Sequence, residues 1–476
     1  MGRADRCPTF SATGPTGCRI GKRPHRVMAR LQSVSALDRL RDVVGAEHLL
    51  SDAEVMRSYG SDWTGRWSVP PAAVVRPASS AEVAAIMRVC AAERIAVVPQ
   101  GGNTGLVGGS VPGSSDAVVL SLRRLTSCFP VDRANRQVTV GAGTTIAQVH
   151  AIAAAAGLTY GVDLASRDSA TIGGTIATNA GGVRVVRFGD TRAQVVGVEA
   201  VFADGSLMDR TAALPKDSAG YDVSRLLVGS EGTLAVLTAA RLQLHDPLPT
   251  GRITALVGVR SLREAVLLLA EVTPSRDELL AAEYIDDVGM QLVCEVAGLP
   301  HPLAGRWPFY LLMETTKTPQ LPEAADASVD RRLWSYRERQ PEAAATLGVG
   351  LSLDIALPAG ALDAFLVRLP ALVSPHHVFT FGHLAEGNVH VQVNGPEPDD
   401  HGAADAVLAA VASVGGSISS EHGVGRAKPQ YLRLTRASAE IDVMRGIKQA
   451  LDPQGLLNPG VLFTADPSGN ATMSAP

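Results

Sequence analysis

Pro99-Gln100-Gly101-Gly102-Asn103-Thr104-Gly105-Leu106-Val107-Gly108-Gly109-Ser110-Val111-Pro112 places five glycines in a loop that directly follows the buried-strand pattern Ile95-Ala96-Val97-Val98. Glycine lets main-chain N–H groups close around an anion such as a pyrophosphate. The loop lacks the Gly-Lys-Ser/Thr ending of a nucleotide-triphosphate loop. The nearest dinucleotide fingerprint, Gly141-Ala142-Gly143-Thr144-Thr145-Ile146, ends in Ile where the third glycine belongs. Two further clusters follow, Ile172-Gly173-Gly174-Thr175-Ile176-Ala177-Thr178-Asn179-Ala180-Gly181-Gly182 and Leu226-Leu227-Val228-Gly229-Ser230-Glu231-Gly232-Thr233-Leu234. One such cluster is a crowded turn as readily as a site. Three, at intervals of about 70 and 55 residues, favour a single extended ligand lying against backbone.

Between the clusters, strands and helices alternate. Ser79-Ser80-Ala81-Glu82 has the spacing of a capping box, and Val83, Ile86, Met87 and Cys90 share one face of the helix it opens. Val138-Thr139-Val140, then Ile146, Val149 and Ile152, repeat the rhythm up to a Pro-rich boundary at Asp246-Pro247-Leu248-Pro249. A second α+β region follows, with a helix at Ser261 to Ala270, a strand at Leu351 to Leu357 and a helix at Ala437 to Leu451.

Within the second region, Phe379-Thr380-Phe381-Gly382-His383-Leu384-Ala385-Glu386-Gly387-Asn388-Val389-His390-Val391-Gln392-Val393 alternates apolar and polar residues on both flanks, the period of half-buried strands. Fully extended, His383 and His390 would stand roughly 23 Å apart. A reversal over Ala385 to Asn388 brings the two imidazoles together. Two histidines begin a metal site that needs a third ligand, and Gly416-Ser417-Ile418-Ser419-Ser420-Glu421-His422-Gly423-Val424-Gly425 is the candidate source. Two imidazoles and one carboxylate leave a coordination position open, the pattern of a catalytic site.

Bulk properties exclude other classes. A net charge of -4 without a basic stripe leaves no nucleic-acid footprint. No stretch reaches the roughly 18 uninterrupted apolar residues of a membrane span. The five cysteines form no CxxC pair, so neither thiolate zinc nor a disulfide framework is expected. Residues 1 to about 30 carry Arg3, Arg6, Arg19, Lys22, Arg23, Arg26 and Arg30 against Asp5 alone. They are read as a disordered or extra extension, or as a transit peptide.

In this order, the three glycine clusters resemble the FAD-binding domain of the vanillyl-alcohol oxidase/p-cresol methylhydroxylase superfamily. With the histidine hairpin they resemble its D-2-hydroxyacid dehydrogenases, which include D-2-hydroxyglutarate and D-lactate dehydrogenases and the glycolate oxidase flavin subunit. The resemblance covers about residues 40 to 463. It implies an α+β fold: a two-part FAD-binding domain, and an α+β substrate (cap) domain with an antiparallel sheet. The expected division is an extension at 1–33, FAD-binding domain 34–249, cap 250–430, a segment 431–465 returning to the FAD domain, and a disordered tail 466–476.

By resemblance, Gln100, Gly101, Gly102, Asn103, Thr104, Gly105 and Ser110 would hold the pyrophosphate of noncovalent FAD, which Pro99 would also contact. Ser169, Gly173, Gly174, Asn179, Gly181, Gly182, Glu231 and Asn458 would contact the rest of it. His383, His390 and Glu421 would be ligands of a divalent metal, usually zinc in the family, with His422 as general base. Arg337, Asn388 and Ser352 would meet the substrate, a guanidinium being suited to both oxygens of a carboxylate.

The implied reaction takes a D-2-hydroxy acid to its 2-oxo acid by hydride transfer to flavin N5. Electrons would leave for a non-NAD acceptor: an electron-transfer flavoprotein, a quinone or a cytochrome. The location would be cytoplasmic, or an organellar matrix if the extension is a transit peptide, and a homodimer stays open. Two departures from the pattern bear on specificity. Pro341 and Ser352 stand where 2-hydroxyglutarate enzymes commonly carry Thr and Lys for the distal carboxylate, which leans toward a shorter or more apolar acid. The alternatives are a flavin-dependent transferase of the alkyl-glycerone-phosphate synthase type and a non-catalytic flavoprotein subunit.

Overall fold

The computed structural model describes residues 34–464 apart from 213, 215, 274, 349, 398 and 399. The expectations for 1–33 and 466–476 concern segments outside the described residues. Three sheets organise the chain. The first holds β1 (Leu49–Leu50), β2 (Ala73–Val75), β3 (Val97–Gln100) and β4 (Val118–Ser121) in the order β1-β2-β4-β3. β4 runs parallel to both β2 and β3.

Strands that run the same way need a crossover; the helix Ser80–Glu93 supplies it from β2 to β3, which flank β4, and the glycine-rich loop after Gln100 carries the chain from β3 back to β4. Ser79 caps that helix by accepting from Glu82 N at 3.2 Å. The Glu82 carboxylate reaches back to Ala78 N at 2.8 Å, one residue short of the N-cap that a strict capping box engages. Val83, Ile86, Met87 and Cys90 are all fully buried, so the expected face is the packed one.

The second sheet comprises β5 (Gln137–Gly141), β6 (Thr159–Tyr160), β7 (Val195–Val201), β8 (Leu207–Asp209) and β9 (Val236–His245), with β9 at its centre pairing β5, β6 and β7. Both sheets belong to the first half of the chain, and the glycine clusters lie in the connections around them.

The third sheet has seven strands: β10 (Ile253–Val259), β11 (Leu279–Asp286), β12 (Phe309–Thr315), β13 (Ala327–Val329), β14 (Leu351–Ala356), β15 (His377–His383) and β16 (Asn388–Asn394). Its order is β13-β10-β12-β11-β15-β16-β14, and every pairing is antiparallel. β15 and β16 form the expected hairpin, turning through Leu384–Glu386. Gly387 follows at φ 71, and a Cβ there would sit 2.2 Å from Leu357 O.

The halves interlock. Arg184 reaches Glu314 of β12 at 2.9 Å, while Arg252 holds the other oxygen of that buried carboxylate at 2.7 Å. Near the end of the chain Val97 N donates to Leu456 O and Asn458 N to Val97 O, both at 2.8 Å, so this segment adds to the edge of β3. Among the described residues no helix is long and apolar enough to cross a membrane.

Ile86 lies at the centre of the core beneath the first sheet. Ile86→Ala should therefore lower stability by about 2–5 kcal/mol in urea unfolding of the apoprotein. A loss below about 1 kcal/mol would mean that this helix is not packed as described.

Candidate active site

A cavity of about 1500 Å³ opens where the glycine clusters face the third sheet. One small ligand takes roughly 300–1,000 Å³, so this volume suits a large ligand and a substrate together. Pro99, Gly101, Gly102, Asn103, Thr104, Gly105, Ser110, Ser169, Gly173, Gly174, Gly181, Gly182 and Glu231 line it.

The glycines serve two purposes. Some let a neighbouring segment approach the backbone: a Cβ on Gly102 would meet Ser169 O at 2.0 Å, and one on Gly101 would meet the Thr171 side chain at Oγ1, 2.2 Å away. Others bare the cavity wall. A Cβ on Gly105 would find nothing nearer than Ser110 Oγ at 3.9 Å, and on Gly109 nothing nearer than Glu231 Oε2 at 3.5 Å. Protein packing does not require glycine at these two positions, whereas a ligand against the main chain does. The cradle fits FAD.

Three expected cofactor contacts are absent from the cavity wall and act as struts. Gln100 donates to Tyr59 O at 2.9 Å and Ser110 O at 2.8 Å. Asn179 donates to Asp190 Oδ2 at 2.7 Å and accepts from Arg192 N at 2.9 Å. Asn458 donates to Gly109 O and Glu231 O, both at 2.8 Å. Their amides are spent on holding the loops that carry the lining residues.

At the other end of the cavity, the register pairs Phe381 with His390. His383, two residues beyond Phe381, therefore lies on the same sheet face, and the two imidazole centroids are 5.5 Å apart. Glu421 comes in from the loop before Val424, with its Oε1 3.3 Å from His383 Nε2. One ligand atom each of His383, His390 and Glu421 all lie within 4.8 Å of one another. The donor set and its burial fit a divalent cation.

Burial and neighbouring charges act differently on the three side chains. Burial pushes the His390 imidazole down to about 3 despite the opposing Asp354 carboxylate, which keeps its lone pair free. Burial also works to lower His383, but Glu283 and Glu421 on either side outweigh it and raise it well above the usual value. Glu421 stays below the usual carboxylate range because the His383 charge and hydrogen bond overcome burial.

Two buried acids that the sequence reading missed organise this arrangement. Asp354 of β14 is fully buried. Its Oδ2 accepts from three consecutive main-chain N–H groups, Ser420 at 2.9 Å, Glu421 at 2.7 Å and His422 at 2.9 Å. Its Oδ1 accepts from Asn388 Nδ2 at 2.7 Å and lies 3.6 Å from His390 Nδ1. Burial opposes its ionisation, yet His422, Lys428, His390 and the His422 N–H hold it well below the ordinary carboxylate range. Glu283 of β11 accepts from His383 and Arg337 and is 1 % exposed. The signal for both was a lone acid inside an apolar strand, Leu279-Leu280-Ala281-Ala282-Glu283 and Leu353-Asp354-Ile355.

His422 is half-buried on the cavity wall, its ring stacked on His390 at 5.4 Å and 16°. Arg337 also lines the cavity, with its guanidinium 4.7 Å from the Phe381 ring centroid. Ser352 lines it too, and accepts from Gln392 Nε2 at 2.9 Å. Asn388 does not. It is 1 % exposed and committed to Asp354, whereas Gln392, two positions beyond His390 on β16, takes a place on the wall.

Replacing Asp354 by Asn puts a donor against donors, either the three N–H groups or Asn388, and leaves Lys428 buried without its countercharge. Asp354→Asn should cost about 3 kcal/mol or more in unfolding free energy and abolish tight zinc binding. Wild-type zinc affinity in this variant would contradict the role given to Asp354.

The family of FAD binding domains matches residues 71–210, and that of the C-terminal domain of FAD linked oxidases matches residues 248–462. A curated relative from Xanthomonas citri pv. viticola, named D-2-hydroxyglutarate dehydrogenase, is 38% identical over 461 residues, covering 89% of this chain and 96% of its own. Among solved structures, p-cresol methylhydroxylase with substrate bound has TM-score 0.70 at 14% identity, covering 90% of this chain and 96% of that one. Alkyldihydroxyacetonephosphate synthase has TM-score 0.68 at 16% identity, covering 89% and 84%. At these identities the structural likeness shows a shared fold.

Proposed function

The chain belongs to the FAD-dependent D-2-hydroxyacid dehydrogenases of the vanillyl-alcohol oxidase/p-cresol methylhydroxylase superfamily, and from that premise we propose that it oxidises D-2-hydroxyglutarate to the 2-oxo acid with the help of a divalent metal. The observation that carries this reading is the convergence of His383, His390, Glu421 and His422 on the same cavity wall as the bare glycine loops. The relative's name supports the five-carbon dicarboxylate over the shorter acid expected from Pro341 and Ser352. Arg337 on the cavity wall offers a guanidinium to a substrate carboxylate without the family's lysine.

The glycine cradle would hold FAD, which would supply the acceptor for the hydride of the substrate's α-carbon, and His383, His390 and Glu421 would hold a metal that would supply the charge acidifying the α-hydroxyl. A ring nitrogen of His422 accepts the hydroxyl proton. Arg337 receives a substrate carboxylate through its terminal nitrogens. The stack on His390 and the bond from His422 N to Asp354 hold the base beside the metal ligands. Glu231 fixes the same loop from the flavin side by accepting from Val424 N at 2.8 Å and Gly425 N at 2.7 Å. Electrons would then leave for an electron-transfer flavoprotein, a quinone or a cytochrome.

Anaerobic addition of D-2-hydroxyglutarate should bleach the flavin absorbance, and the L enantiomer should not. No bleaching by any D-2-hydroxy acid in a panel, with zinc replete, sinks the reading. Stripping the metal with a chelator should slow bleaching, and zinc should restore it. His422→Ala should keep FAD and zinc yet lose about 10²-fold or more in turnover; near-wild-type turnover would remove His422 from the role of base.

A further inference from the structure

Glu283 is placed where a carboxylate is expensive. The strand around it is apolar, and a buried ion pair is often no more stabilising than well-packed hydrophobic residues of the same volume. Yet both of its oxygens are used. Oε1 is 2.6 Å from His383 Nδ1, the residue directly opposite it in the register of β11 and β15. Oε2 accepts from Arg337 Nε at 2.7 Å. Both partners are buried, with side-chain exposures of 6% for His383 and 8% for Arg337.

Each bond has a consequence at the cavity. A carboxylate on Nδ1 fixes the proton there and turns the Nε2 lone pair to the side where Glu421 Oε1 lies, 3.3 Å away. The bond to Nε fixes the plane of the guanidinium. Among the described residues, the terminal nitrogens of Arg337 then have no protein hydrogen-bond partner, and the residue lines the cavity.

We propose that Glu283 is a positioning residue that aligns two grips on the substrate at once, the metal-binding edge of His383 and the carboxylate-binding edge of Arg337. This rests on the functional reading above. The distance between metal and guanidinium is thereby set by one side chain rather than by the packing of two separate elements. Glutamine cannot replace it. Its amide has one acceptor and one donor end, so either His383 must carry its proton on Nε2 or Arg337 Nε must face another N–H.

The test uses Glu283→Gln as the FAD-loaded protein. Zinc affinity is read by competition with a chromophoric chelator without substrate, and KM and kcat with D-2-hydroxyglutarate. Flavin content should stay near wild type, while the melting temperature falls because Arg337 loses its buried countercharge. Zinc affinity should fall about 10–100-fold, and KM should rise about tenfold or more. In an Arg337→Lys background, which has no Nε to orient, the added effect of Glu283→Gln on KM should shrink to below about twofold.

Unchanged zinc affinity and KM overturn the proposal. So does a loss of flavin in step with activity, which would make Glu283 a sheet fastener only. If Glu283→Gln does not fold, Glu283→Asp carries the test: its shorter stem cannot reach both partners, so zinc affinity or KM should worsen about tenfold, and both intact overturn the idea. Because zinc is measured without substrate, a protein that binds zinc but ignores D-2-hydroxyglutarate refutes the functional reading while the zinc arm still decides this one. A wild-type protein with no zinc affinity overturns both.

Discussion

Three consecutive main-chain N–H groups converging on Asp354 are the interaction on which the rest of the site depends. A buried carboxylate pays heavily for leaving water unless its lone pairs are filled. Asp354 fills them with Ser420, Glu421 and His422 on one oxygen and Asn388 on the other. The bonds shape the backbone so that Glu421 and His422 leave the loop toward His383 and His390. Lys428, 2 % exposed, donates to Asp354 O at 3.3 Å and to Ile418 O at 2.8 Å, tying the far end of the same loop to β14. One acid thus places both Glu421, the proposed ligand, and His422, the proposed base.

The loop is also where the two halves of the chain meet. A Cβ on Gly181, in the second glycine cluster, would stand 2.1 Å from Glu421 Oε1. Gly423 is pressed against Glu231, with a Cβ 2.8 Å from its Cδ. Glu231 then grips Val424 and Gly425 through its carboxylate and Asn458 through its carbonyl. Glycine at 181 and 423 is therefore a condition for bringing the cradle and the metal ligands within one cavity. Burial of Glu231 pushes its carboxyl up to about 7, against the two N–H bonds and Lys428. The junction is apolar enough that even a well-bonded acid is drawn toward its neutral form.

Much of this was legible because its signals are local. The capped helix at Ser80–Glu93 announces itself through the spacing of Ser79 and Glu82 and a 3.6-residue period. The hairpin follows from a two-residue period broken by Gly387, and the glycine clusters mark backbone that must lie bare. What could not be read depends on partners far along the chain. Gln100, Asn179 and Asn458 sit in the right loops, but the destination of an amide is a long-range fact: Asn458 bonds residues 349 and 227 positions away. Asn388 and Gln392 share one face of β16, so strand parity cannot separate them. Only their side-chain bonds to β14 show that one lies by Asp354 and the other by Ser352. Glu283 and Asp354 appear in the sequence as interruptions of apolar strands, which identifies them as costly without saying what they hold.

We propose that the hairpin and the Asp354-bound loop together build a metal centre from His383, His390 and Glu421. A second trio, Asp354, His390 and His422, also offers ligand atoms within 4.8 Å of one another. Asp354 is already filled by four N–H groups, which disfavours it as a ligand. An anomalous difference map recorded at the zinc edge from crystals of the FAD-loaded protein decides between them. The account predicts one peak bonded to His383, His390 and Glu421 at about 2.0–2.2 Å. A peak on Asp354, or no peak in zinc-replete crystals, would contradict it.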